Sequence, residues 1–77
     1  MQIVKATAFV KGGTLLEITK RFKEGDNISN RGKIVTVEQI GDGVKIVFEA
    51  LSNMIVAVFG IISDTFLGRC SLNTQAV

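Results

Sequence analysis

The chain has 77 residues, 47% of them hydrophobic, with a mean hydropathy of +0.39, a formal net charge of +2 and a pI near 9.0. That length allows one domain around one small core, and the modest charge argues against a dedicated nucleic-acid binder that neutralises many phosphates. The lack of histidine and the single Cys70 exclude a histidine-containing metal site, an intramolecular disulfide and a Cys–His nucleophile.

Proline is absent, so turns must be made by Gly, Asn and Asp. Gly12-Gly13, Gly25-Asp26-Asn27, Asn30-Arg31-Gly32, Gly41-Asp42-Gly43 and Ser52-Asn53 cut the chain into short segments rich in Val, Ile, Thr and Phe. This is the punctuation of an all-β domain. The N-terminus alternates apolar and polar residues, unlike a secretory leader. With one unpaired cysteine, the expected setting is reducing and cytoplasmic, with no membrane segment.

The first predicted hairpin runs from "QIVKATAFV" through Gly12-Gly13 into "TLLEITKRF". A two-residue turn sets Phe9 against Leu16, Thr7 against Ile18 and Ile3 against Phe22. The same register opposes Lys5 and Lys20, a like-charge pair that either splays to solvent or shares an anion. The second hairpin joins "GKIVTVEQI" to "VKIVFEAL". A loop at Asp42-Gly43 pairs Val37 with Phe48 and Val35 with Ala50, and is preferred over a three-residue Gly-Asp-Gly loop that leaves no clean apolar face.

The run "MIVAVFGII", residues 54–62, reads as a buried strand because of its β-branched residues and Gly60. With both faces apolar it needs cover on both sides, and a second copy of the chain is the expected cover. "SDTFLG" reads as one helical turn capped by Ser63 or Asp64 and stopped by Gly68, "RCSL" as a last short strand, and residues 73–77 as a frayed tail. The expectation is one domain over residues 1–77.

The pattern Phe22-x-x-Gly25-Asp26-x-Ile28, then Gly32-Lys33-Ile34-Val35, then "VEQIGDGVKIVF" resembles the corner and central hairpin of SH3-like barrels, including KOW and Tudor-type modules. The likeness covers roughly residues 15–60. It implies an all-β, five-stranded SH3-like barrel with one short helical turn near the C-terminus, and a binding role toward proline-rich peptides, methylated side chains, RNA or partner proteins. No Trp or Tyr is present to line a polyproline groove or an aromatic cage. The Gly-Asp corner is read as scaffold, Gly25 supplying a positive φ and Asp26 and Asn27 bonding to nearby amides.

No glycine pattern matches a dinucleotide or phosphate loop, so no catalytic residue, metal ligand or cofactor is assigned and no enzyme activity is expected. Two function classes remain. The first is a protein-binding module, as structural subunit, inhibitor or adaptor, in the general style of small phage and mobile-element accessory proteins. Its candidate interface is Met54, Val56, Val58, Phe59, Ile61 and Phe66, which also serves a homo-oligomer. The second is a nucleic-acid-binding barrel whose candidate contacts are Lys5, Lys20, Arg21, Lys23, Arg31 and Lys33, and which needs a Phe exposed on the basic face.

Overall fold

The computed structural model describes residues 2–74, so the last three residues of the expected tail lie outside the described residues. Five strands form one antiparallel curled sheet, a half-barrel, in the order β2-β3-β4-β1-β5. They are β1 (Ile3–Lys11), β2 (Asn27–Ile28), β3 (Gly32–Ile40), β4 (Gly43–Leu51) and β5 (Cys70–Thr74). Helix α1 (Leu15–Thr19) follows β1, and a 3-10 turn (Ser52–Met54) leads from β4 into α2 (Ile55–Thr65).

Several expectations are overturned. The segment expected as the second strand is α1. Thr14 accepts a hydrogen bond from the Glu17 amide on its hydroxyl at 3.2 Å, and the Thr14-Leu15-Leu16-Glu17 sequence is the S/T-x-x-E arrangement that starts helices. Gly12, at φ +72°, donates its N–H to the Asp42 carbonyl and does not close a hairpin. β1 pairs instead with β4, which sets Lys5 opposite Glu49 and removes the clash with Lys20.

The second correction concerns residues 54–62, which are helical and not a strand. Ile55, Val58 and Ile62 are buried, and Phe66 extends the same stripe just past the helix. Steps of three and four residues are a helical period. The stripe closes the inner face of the sheet, against Ala6, Ala8 and Val10 of β1, Ile34 of β3 and Val44, Ile46, Phe48 and Ala50 of β4. Small residues make room for it. A Cβ at Gly32 would lie 3.0 Å from both Val58 methyls, so the helix seats where β3 has no side chain.

The second hairpin also takes a register of its own. Ile40 pairs with Gly43, so the turn is Gly41-Asp42, one position earlier than expected. Gly41 at φ +58° occupies the first central position, where a type II′ turn asks for glycine. Val37 therefore faces Ile46, and a bulge at Val35 then sets Ile34 opposite Phe48 and Gly32 opposite Ala50. Val37 falls at a non-bonded position of the β3–β4 ladder, so its amide faces away from β4, and Glu24 Oε2 accepts from it at 3.0 Å.

At the C-terminal end of α2, Gly68 N–H donates to the Ser63 carbonyl and Leu67 N–H to the Asp64 carbonyl. This paired closure is the Schellman motif, so "SDTFLG" is the end of a longer helix and not a separate turn. The chain then runs into β5, which pairs with β1 and includes Asn73 and Thr74. No helix of the described residues is long and apolar enough to cross a membrane.

Candidate binding groove

The Gly-Asp corner is held by one side-chain and two backbone hydrogen bonds. Asp26 Oδ2 accepts from the Lys23 amide at 3.1 Å, Gly25 N–H donates to the Ile34 carbonyl and Ile34 N–H to the Asp26 carbonyl. Gly25 sits at φ +90°, which a side chain resists. The corner delivers the chain into β2 and then into a tight turn at Ser29 (φ +49°) and Asn30 (φ +60°), where Arg31 N–H donates to the Ile28 carbonyl at 2.9 Å. Two consecutive positive φ values give the type I′ geometry that matches strand twist.

That turn forms one wall of a groove of about 550 Å³. Asn27, Asn30, Arg31 and Lys33 supply amides and cations. The opposite wall is apolar, made by Ile3, Leu51 and Met54. Ile3 and Leu51 are cross-strand partners at the end of the β1–β4 ladder, and Ser52 N–H donates to the Gln2 carbonyl at 3.0 Å, fastening the start of the 3-10 turn beside them. Glu49 lies between, opposite Lys33 on one side and Lys5 on the other.

The structure divides both candidate groups. Of the apolar candidates, Met54 lines the groove, Val56 is 74% exposed on α2, and Phe59 and Ile61 pack in part against the core. Val58 and Phe66 are core residues with no surface to offer, Phe66 holding Phe22 edge-to-face at 5.8 Å between ring centroids. Of the basic candidates, Arg31 and Lys33 line the groove and Lys5 shares its sheet face with Lys33. Lys20, Arg21 and Lys23 are exposed at the end of α1 and beyond it, and lie outside this groove.

Sequence reasoning missed Ile3, Leu51, Asn27, Asn30 and Glu49, because only the β1–β4 and β2–β3 registers bring these residues together. A second hollow of about 380 Å³ lies where β5 begins, lined by Phe9, Lys11, Gly68, Arg69, Cys70 and Ser71. Arg69 is held there by Glu17 at 2.7 Å, and its Nε donates to the Phe66 carbonyl. Burial pushes the Cys70 thiol above its ordinary value, against a smaller opposing pull from Arg69. That direction is opposite to the lowering that activates a cysteine nucleophile.

No protein-family model, no curated protein and no solved structure matches this chain.

Proposed function

We propose that the chain is a non-enzymatic binding module acting through protein–protein contact, as a structural subunit, inhibitor or adaptor of the phage or mobile-element kind. Its curled sheet is taken as a scaffold of the SH3-like type. The observation that carries the reading is the groove. Its apolar wall leaves Ile3 60% exposed beside Leu51 and Met54, and a cationic, amide-bearing turn faces it. An apolar floor with a polar rim suits a polypeptide segment that inserts a hydrophobic anchor and presents a carboxylate to Arg31 and Lys33. The lack of histidine and of an activated cysteine supports binding over chemistry.

The test is affinity capture from the native host with three chains: wild type, Ile3→Asp, and Leu16→Asp on the exposed side of α1. A protein retained by wild type and Leu16→Asp but lost from Ile3→Asp supports the groove. Equal retention by all three sinks it.

A second reading is favoured by one observation. Phe9 is half-buried on the outer sheet face, which it shares with Lys5, Lys33 and Lys45, interleaved with Glu49 and with Glu38, which lies 3.6 Å from Lys45. Stacking on one ring with phosphate contacts from lysines would give weak, salt-sensitive binding to single strands. Titration with a mixed-sequence oligonucleotide at rising salt decides between the two. Binding that weakens steeply as salt rises and is lost in Phe9→Ala would put nucleic acid first.

A further inference from the structure

We propose that β5 is a self-pairing edge, through which two copies of the chain join their sheets antiparallel about a two-fold axis at Leu72. The inference is independent of the groove and uses the opposite side of the sheet. It replaces the expected oligomer contact through residues 54–62, which are helical.

The ladder phase shows which atoms are available. Lys11 N–H donates to the Arg69 carbonyl at 3.0 Å, in the same register that pairs Val10 with Cys70. Bonded pairs alternate along an antiparallel ladder. Phe9 with Ser71 and Thr7 with Asn73 are then the bonded pairs, and Cys70, Leu72 and Thr74 turn their N–H and C=O groups away from β1. Among the described residues nothing pairs with them.

The two edges of the sheet are treated differently. At the other edge, β2 covers the start of β3, Glu24 takes the Val37 amide, and Gln39 bonds to the Leu15 amide at 2.8 Å to hold α1 beside the hairpin. That edge is closed by side chains and a helix. β5 carries none of the usual protection: Cys-Ser-Leu-Asn-Thr has no charge and no proline, and its pairing with β1 runs without a bulge.

An unprotected edge calls for an extended strand, and a second β5 fits it. With the axis at Leu72, Leu72 meets Leu72 of the second copy, Cys70 meets Thr74 of the second copy, and Ser71 meets Asn73 of the second copy. Every outward residue then faces an outward residue, so all of their backbone groups can pair, and no like charges oppose. A two-fold axis between antiparallel strands stands perpendicular to the sheet, so both α2 helices come to the same face. α2 is apolar nearly all round, with Val56 exposed and open space beside Gly60, and such a helix ordinarily has protein on more than one side.

The test is sedimentation equilibrium of the full chain over a concentration series. Wild type is expected at twice the 8.3 kDa chain mass. Ser71→Lys with Asn73→Lys opposes lysines across the axis and is expected to give a folded monomer by circular dichroism. Ser71→Lys with Asn73→Glu sets each lysine against a glutamate of the second copy and is expected to restore the dimer. Amide exchange on wild type gives a readout without substitution: Cys70 and Leu72 amides are protected in the dimer and exchange freely on dilution. A wild type that stays a single chain at every concentration leaves the edge to a foreign strand and overturns the proposal. So does a dimer whose Cys70 and Leu72 amides are unprotected, or one that the double lysine chain forms as tightly as wild type.

Discussion

Two single residues hold conformations or environments that their chemistry does not favour. Leu67, the C′ residue of α2, sits at φ +57° and is 89% exposed, so it contributes neither packing nor an easy left-handed backbone. A non-glycine residue there costs about 1 kcal/mol, and Leu67→Gly should raise stability by a similar amount in chemical denaturation, read as a higher midpoint at unchanged slope. A lower midpoint would mean that Leu67 makes a contact that offsets its backbone. Thr7 presents the opposite case, a strand residue whose hydroxyl is buried without a hydrogen-bond partner. Thr7→Val keeps the branched shape and removes the desolvated polar atom, so thermal melting should show a gain of up to about 1 kcal/mol. A loss would place a polar partner on that oxygen in solution.

Among the elements, the β3–β4 hairpin shows how local chemistry and packing share control. Its existence was legible from the two apolar runs and the Gly-Asp-Gly between them, and so was the preference for a two-residue loop. Its position was not, because Gly41-Asp42 and Asp42-Gly43 are both acceptable turns and the bulge at Val35 is silent in sequence. Gly43 settles the choice from outside the hairpin. A Cβ there would overlap the Phe9 ring and come within 2.6 Å of the Val10 carbonyl oxygen, so β1 packs closely against the point where β4 starts. Gly43→Ala should therefore cost about 1–3 kcal/mol, and truncating Phe9 in the same chain should not recover it all, since the carbonyl contact is backbone. Full recovery would mean that only the ring mattered. The start of α1 is marked in the sequence by Thr14-x-x-Glu17, but the apolar alternation of Leu16, Ile18 and Phe22 is equally that of a strand.

At the scale of the molecule, α2 decides which apolar residues are core and which are surface. Val56 and Val58 are two positions apart, which on a strand would put them on one face and on this helix puts one in water and the other in the core. Val58→Asp is expected to unfold the chain, since an unpaired buried charge costs at least about 3 kcal/mol and a domain of this size has little stability to spare. Val56→Asp should keep the far-UV circular dichroism and the cooperative melt of wild type. Equal damage from both would return residues 54–62 to a strand, and the fold described above would fall with it.

Several features of this protein follow from the sequence alone: an antiparallel sheet punctuated by Gly, Asn and Asp, a sharp corner at Gly25-Asp26, and a last strand near Cys70. Each rests on local chemistry, such as a φ that glycine permits or an alternation that a half-buried strand requires. The tertiary structure decided the rest. Whether residues 54–62 became strand or helix depended on the inner face of the sheet, which needed a cover that a third-and-fourth-residue stripe could supply and that β1 alanines could admit. Whether Lys5 met a lysine or a glutamate depended on β1 choosing β4 over its sequence neighbour. The groove, built from Ile3, Leu51, Met54, Arg31 and Lys33, depended on both choices together, because its walls are distant in sequence and only the strand register sets them face to face.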